Sequence, residues 1–255
     1  DGRPLSDHAV KGLRVTLRLE GDEVAVELIL SGADKEPLSA FLNEYIGVKP
    51  SDGYRFLIFT CPVRGYYNEP VRVKIETHYS RAFPGGTGEA KCGGNYAGGL
   101  YPAKMGQDQG YHQLIWTDGL THTHIEESGT MNVFFRIGDA LVTPETDGNI
   151  LHGITRDSII TLARDIGLEV REQALPREAL YLADEAFFTG TACEVTPIRS
   201  IDGLAIGGGR RGPVTLQMQE AFFGLFNGRT RDVHGWLDRI EPEVQTECDV
   251  HAAYA

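Results

Sequence analysis

The chain has 255 residues, which is room for one large domain or two modest ones. Its 36 acidic residues outnumber its 24 basic ones, and the net charge of −12 argues against nucleic acid as a partner. Four separated cysteines without a C-x-x-C exclude a disulfide framework and indicate the reducing cytoplasm, and no apolar run approaches the ~18 residues of a membrane span.

The first predicted element is a hairpin over residues 13–30, where apolar and polar residues alternate on both sides of Gly21. A weak helix over 35–46 and a buried strand over 54–60 follow. The Pro/Gly-rich loop 62–70 is the best candidate for a domain boundary. The predicted domains are therefore 1–66, a small N-terminal domain, 67–240, a large domain, and 241–255, an unstructured tail.

Beyond the boundary, strands and helices are mixed, which predicts an α+β (mixed α/β) fold. The predicted strands cover 71–79, 113–117, 131–137, 140–143, 169–171, 186–189 and 193–198. The predicted helices run from Asn95 to about 110, from Thr155 to Ile166, over 177–181 and over 214–227.

Three segments are candidate binding sites for a phosphate or a cofactor. The amphipathic helix that follows Gly153 presents free amides and the Thr155 hydroxyl, although Thr155 considered alone is simply a helix N-cap. The segment 189–192 is either an anion-binding nest of amides or a plain turn. Lys91 lies in a glycine-rich run that a flat ligand can approach, unless it is simply a surface lysine.

Two further clusters carry ionisable side chains. Of the adjacent Glu126 and Glu127, we expect one to be solvated and one to be structural. A buried glutamate needs a cationic partner, and a protonated heterocyclic nitrogen is one such partner. His122 and His124 lack an obvious third ligand, so we expect exposed loop histidines rather than a metal site.

The chain from about Gly47 to Leu237 resembles the branched-chain aminotransferases, pyridoxal-phosphate enzymes of fold type IV. The matching stretches, in family order and at family spacing, are GVKPSDGYRFLIFTCPV, PGGTGEAKCGGNYAGGLYPAK, GYHQLIWTDG, IEESGTMNVFFRI, ILHGITRDSII, FFTGTACEVTPI and GGRRGPVTLQMQEAFF. The resemblance implies a larger domain with a barrel-like β core and an incomplete small N-terminal domain.

The resemblance also implies which residues form the site. Lys91 would be the catalytic residue and the one that forms the Schiff base with pyridoxal 5′-phosphate. The implied cofactor-binding residues are Lys91, Tyr96 at the phenolic oxygen, Glu127 at the ring nitrogen, and Ile154, Thr155 and Thr191 at the phosphate. The implied substrate-binding residues are Thr130 and Ala192, near the substrate carboxylate, and Tyr66, near the side-chain pocket.

The implied activity is transamination of leucine, isoleucine and valine with 2-oxoglutarate, in a cytoplasmic homodimer that uses small amino and 2-oxo acids. Other activities on the same fold are a D-amino-acid aminotransferase and an aminodeoxychorismate lyase. A catalytically impaired remnant is the third alternative, because two arginine-containing N-terminal segments of the family are missing. Arg3, Arg14 and Arg18 carry no motif that would assign them to the phosphate or the substrate.

Overall fold

The computed structural model describes residues 67–238 and the backbone of two earlier strands, β1 (Leu13–Glu20) and β2 (Glu23–Leu30). The chain divides into two units, Asp1–Arg64 and Gly65–Ala255. In the first unit β1 and β2 pair antiparallel, which confirms the predicted hairpin. The predicted helix 35–46, the strand 54–60, Tyr66 and the tail 241–255 lie outside the described residues.

The second unit contains the remaining elements, and most agree with the sequence prediction within one or two residues. Its strands are β3 (Val71–Glu76), β4 (Gln113–Thr117), β5 (His124–Ser128), β6 (Asn132–Ile137), β7 (Ala140–Thr143), β8 (Glu169–Glu172), β9 (Leu175–Pro176), β10 (Glu185–Gly190), β11 (Glu194–Ile201) and β12 (Leu204–Ala205). Its helices are α1 (Gly93–Asp108), α2 (Ile154–Asp165), a 3₁₀ helix (Arg177–Leu182) and α3 (Pro213–Phe226).

These ten strands form one mixed sheet that curls on itself. Its pairing order is β8-β7-β6-β10-β11-β3-β4-β5-β9, with β12 beside β11. Strands β5 and β6 are five strand spacings apart in this order, or roughly 24 Å in a flat sheet. Only residues 129–131 join them, and such a connection reaches at most about 14 Å. The sheet must therefore bend round, as expected for a barrel-like core.

Apolar side chains fill both faces of the curled sheet. On β10, Phe187 packs against α2 and α3 while its neighbour Phe188 faces the opposite core, as strand alternation requires. Phe187 stacks on Phe134 of β6 with ring centroids 5.2 Å apart. Ile159 and Ala163 of α2 are completely buried against this face. Helix α2 is thus packed against β6 and β10.

A buried carboxylate attaches α3 to β10. Glu185 accepts hydrogen bonds from the backbone amides of Val214 (3.0 Å) and Thr215 (2.8 Å) and from the Thr215 hydroxyl (2.9 Å). The two amides are orphan donors of the first helical turn, which Gly212, the N-cap residue, cannot satisfy through a side chain. Glu185 therefore caps α3 from a distant strand, and Gly212 leaves the space that its carboxylate fills.

The structure corrects two local expectations. His124 begins strand β5 rather than lying in a loop, although it is exposed as expected. His122 is partly buried in the preceding turn at φ 55°, with its ring 2.8 Å from the Thr117 hydroxyl. This short strand was not predicted, because the polar run THTH shows no alternation of apolar and polar residues. Among the described residues no cluster of ligands suits a metal ion.

Helix α2 begins one residue earlier than predicted. Its N-cap is Gly153 in an extended conformation, so Thr155 lies inside the first turn and is not the capping residue. None of the helices in the described part of the chain is long and apolar enough to cross a membrane.

Candidate active site

One cavity of about 240 Å³ brings together most of the residues that the sequence nominated. It lies within the second unit, and its lining includes Lys91, Tyr96, Glu127, Thr130, Ile154, Thr155 and Thr191. Ala192 follows Thr191 in the turn after β10 but is not among the lining residues. Tyr67, next to the undescribed Tyr66, packs against the core instead.

Lys91 is held at the start of α1 by the loop that precedes it. The Asn95 side-chain amide donates to the carbonyls of Thr87 (2.6 Å) and Ala90 (2.8 Å), and the Thr87 hydroxyl donates back to Asn95 Oδ1 at 2.7 Å. Lys91 Nζ lies 3.4 Å from the Tyr96 hydroxyl. The glycine-rich segment is therefore ordered by Asn95 and presents an amine and a phenol to the cavity.

Glu127 is fixed by three donors from three different segments. Its Oε1 accepts from the Arg81 guanidinium in a close ion pair, and its Oε2 accepts from Asn132 Nδ2 (2.9 Å) and the Leu151 amide (3.3 Å). Arg81 also donates to the carbonyls of Gly88 and Asn149, each at 2.9 Å. The pair thus connects β5 to the loop that follows β3 and to the loop that precedes α2.

The charge of Glu127 responds to this environment. Burial raises the pKa of Glu127 to about 7, while Arg81, the Leu151 amide and Lys91 act in the opposite direction. A carboxyl group with this pKa changes its charge near neutral pH, so a cation placed beside it in the cavity would favour the carboxylate.

The other end of the cavity is built from the first turn of α2. Gly153 has no side chain to cap the helix, so first-turn amides stay available for an external acceptor. A Cβ on Gly153 would collide with Asn132 Oδ1, which explains why glycine is required here. Ile154 is exposed and Thr155 is buried at this edge. The arrangement is suited to an anionic group.

Thr189 adds a donor that the sequence analysis treated only as part of a possible nest. Its side chain is completely buried and borders the cavity, and within the described chain its hydroxyl has no hydrogen-bond partner. Because a buried hydroxyl without a partner is costly, its position fits a polar ligand atom in the cavity.

Two expectations about the acidic cluster and its cationic partner need revision. Glu126 and Glu127 are both buried, at 3% and 4% exposure, so neither is the solvated charge that was expected. The cationic partner of Glu127 within the described chain is Arg81, 46 residues away, which the sequence reasoning missed. The need for a cation beside a buried glutamate was the available signal, but it does not say which arginine supplies it.

A sequence model of the family "Amino-transferase class IV" matches residues 13–201. The chain belongs to the class IV aminotransferases. The branched-chain-amino-acid aminotransferase of Escherichia coli K12 is 42% identical over 218 residues, covering 83% of this chain and 70% of that protein. Branched-chain-amino-acid aminotransferase 2 of Bacillus subtilis 168 is 36% identical over 217 residues, covering 80% and 60%.

Solved structures agree with this class IV assignment. The Escherichia coli branched-chain amino acid aminotransferase superimposes with a TM-score of 0.63 at 46% identity, covering 67% of this chain and 57% of the other. The branched-chain enzyme of Thermobaculum terrenum, solved in its PLP-containing holo form, gives 0.60 at 31% identity, covering 64% and 53%. The chain thus spans a little over half the length of these solved relatives.

Replacing Arg81 with methionine tests the buried ion pair. The substitution leaves Glu127 without its cation, and we expect a loss of about 3–5 kcal/mol in the free energy of unfolding at pH 8. At pH 5 the loss is smaller, because a folded variant with a still higher Glu127 pKa takes up the proton. Urea denaturation at both pH values measures the difference.

The matched control is Arg171→Met. Arg171 pairs with Glu169 on the surface, with about half of each side chain exposed, so its loss should change stability by no more than ~0.5 kcal/mol at either pH. Equal losses for Arg81→Met at pH 5 and pH 8 would contradict the role given to Glu127.

Proposed function

We propose that this class IV aminotransferase binds pyridoxal 5′-phosphate in the cavity and transaminates branched-chain L-amino acids with 2-oxoglutarate. The observation that carries the proposal is the shared cavity of Lys91, Glu127 and the first turn of α2. An amine, a buried carboxylate and an anion-binding helix end are the three groups that this cofactor requires of a protein.

The residues present fit the cofactor. The amides of Ile154 and Thr155, with the Thr155 and Thr191 hydroxyls, would hold the phosphate. Glu127 would face the ring nitrogen, and Tyr96 would donate to the phenolic oxygen. The Thr189 hydroxyl, buried and unpaired among the described residues, is a further donor at this wall.

Different side chains of the protein would then perform different parts of the reaction. When bound, the cofactor supplies a conjugated ring that accepts the electrons left when an amino acid loses its α-proton. Glu127, ionised beside the ring nitrogen, keeps a proton on that atom. The Lys91 amine would be the general base that takes the α-proton of the amino acid. Arg81 and Asn132 keep the Glu127 carboxylate in place throughout.

We propose that Thr130 and the backbone at Thr191–Ala192 receive the substrate carboxylate, with Tyr66 near the side chain. Thr130 supports this because it borders the cavity between β5 and β6. The choice of branched-chain substrates rests on the names of the relatives, at 36% and 42% identity for the two curated proteins quoted above.

We propose that the protein acts in the cytoplasm. Cysteine usage supports this, since Cys92 and Cys193 are both free thiols in the described part of the chain. Reduced cysteines of this kind are typical of reducing compartments.

Lys91→Ala should abolish covalent attachment of pyridoxal phosphate. After borohydride reduction, intact-mass and peptide mass spectrometry of the wild type should show one modified lysine, at position 91. Lys104→Ala, which removes an exposed lysine paired with Asp108 on the same helix, should keep the adduct. An adduct retained at another lysine in the Lys91→Ala variant would show that the reactive amine lies elsewhere.

Turnover of leucine with 2-oxoglutarate tests the activity itself. We expect glutamate and the 2-oxo acid of leucine as products, with ping-pong kinetics because the amino group resides on the enzyme between substrates. Glu127→Gln should slow the reaction by at least about tenfold, because the ring nitrogen loses its charged partner. Turnover of D-alanine or aminodeoxychorismate without leucine would overturn the substrate assignment.

We propose that the protein forms a homodimer, with α1 in the interface. Helix α1 buries only Pro102 and Gly106 and exposes Leu100, Tyr101 and Met105. Such apolar exposure on one helix is typical of an interface.

Light scattering tests the dimer. We expect the wild type to be a dimer and Leu100→Glu to be a monomer. The control Leu182→Glu, which alters an exposed leucine outside α1, should remain a dimer. A monomeric wild type at micromolar concentration would contradict the proposal.

A further inference from the structure

Thr189 lies at the end of β10 and faces the side of the sheet on which α2 packs. It is paired directly with Asn132 of β6, two residues beyond the paired and stacked rings of Phe187 and Phe134. Residues two apart on a strand share a face, so Thr189 and Asn132 lie on the same side as those rings. The rings belong to the core that α2 covers. The Thr189 side chain therefore points towards α2, beside that of Asn132.

The first turn of α2 begins beside this pair. A Cβ on Gly153, the N-cap residue of α2, would collide with Asn132 Oδ1, so the helix start touches the Asn132 side chain. The Cβ atoms of directly paired residues in an antiparallel sheet are about 4.5–5.5 Å apart, which places Thr189 one side chain away. Thr189, Gly153, Ile154 and Thr155 all line the candidate active-site cavity. The Thr189 hydroxyl and the first turn of α2 thus lie at the same end of that cavity.

The Thr189 hydroxyl differs from those of other buried threonines. Its side chain is completely buried, and the hydroxyl has no hydrogen-bond partner within the described chain. Four other buried threonines donate to a protein acceptor at 2.6–2.9 Å: Thr117, Thr143, Thr196 and Thr215. A buried hydroxyl without a partner is costly, and the described chain provides none for Thr189. Its acceptor therefore has to come from the cavity that it borders.

The charges around this end of the cavity favour an anion. The first turn of α2 has no side-chain cap, so its free amides and the positive end of the helix dipole are available to a ligand. Lys91 adds an amine to the lining, and Glu127, the acidic residue of the lining, is held in an ion pair with Arg81. Asp157, in the first turn of α2, is exposed and does not line the cavity. A ligand with several negatively charged oxygens, such as a phosphate, matches this set of donors.

We propose that this end of the cavity is a preformed oxyanion site, that inorganic phosphate occupies it when the cofactor is absent, and that Thr189 is its buried donor. The Thr189 and Thr155 hydroxyls and the first-turn amides of α2 are the groups that hold the anion. Under the proposed function, the phosphoryl group of the cofactor takes the same place, so free phosphate and the cofactor exclude each other. This competition rests on the proposed function, whereas the binding of inorganic phosphate does not.

Thermal unfolding of the full chain, freed of cofactor, tests the phosphate site. Sodium phosphate should raise the midpoint temperature above that in sodium chloride of equal ionic strength, because a ligand that binds only the folded chain stabilises it. By titration calorimetry, Thr189→Val should bind phosphate about tenfold more weakly, since a hydrogen bond to a charged group is lost. Thr189→Ser keeps the hydroxyl and should bind within about twofold of the wild type. Equal affinities of Thr189→Val and the wild type would overturn the role of Thr189, and no gain over chloride would overturn the site itself.

Stability without phosphate provides a second readout. Thr189→Val should then have a higher midpoint temperature than the wild type, because valine removes a buried hydroxyl that lacks a partner. The matched control is Thr143→Val, since the Thr143 hydroxyl is buried outside the cavity and donates to the Val133 carbonyl at 2.8 Å. Thr143→Val should lower the midpoint temperature and leave the phosphate affinity unchanged. A lower midpoint for Thr189→Val as well would show that its hydroxyl has a structural partner, contrary to the proposal.

Competition with pyridoxal phosphate separates this inference from the proposed function. In a Lys91→Ala background, where no covalent bond forms at that amine, inorganic phosphate should raise the apparent dissociation constant of pyridoxal phosphate measured by fluorescence. Sodium chloride of equal ionic strength should not. Unchanged cofactor binding in the presence of saturating phosphate would contradict the shared site. Failure of pyridoxal phosphate to bind at all would count against the proposed function, and the calorimetric and thermal measurements would still decide whether the chain holds inorganic phosphate through Thr189.

Discussion

The buried ion pair between Arg81 and Glu127 is the contact on which the rest of the site depends. Both side chains are at most 6% exposed, so neither charge can turn to water if the other is lost. The Arg81 guanidinium also binds the carbonyls of Gly88 and Asn149, which lie in two different loops. One guanidinium thereby fixes the loop that carries Lys91, the strand that carries Glu127 and the approach to α2.

The curl of the sheet makes this arrangement possible. Strands β5 and β6 are distant in pairing order yet consecutive in sequence, so their short connection draws Glu127 and Asn132 together. The remaining walls come from the ends of β10 and α2, whose other faces are packed into the core around Phe134 and Phe187. Reactive groups are therefore mounted on rigid elements, which suits chemistry that depends on fixed geometry.

The sequence predicted the fold well wherever burial follows a regular period. Alternation located the hairpin of β1 and β2, and most strands and helices of the second unit agree with their predicted bounds within one or two residues. Strand β5 was missed because His124, Glu126 and Glu127 interrupt the apolar pattern. Such interruptions are expected where function overrides packing. Arg81 was missed because periodicity carries no information about an ion pair between residues 46 positions apart. Lys91 and Thr155 were named as site residues through the family resemblance.

The crowding between Asn132 and Gly153 has an evolutionary consequence. Asn132 Oδ1 occupies the space that a side chain at position 153 would need, while Asn132 Nδ2 binds Glu127. A descendant that acquired alanine at 153 would have to shorten residue 132, and Glu127 would then lose a donor. The two positions are therefore epistatic, because a larger residue at 153 requires a smaller one at 132. Selection that acts on Gly153 at the anion-binding end of the cavity therefore also constrains Asn132, and through it Glu127 at the acidic end.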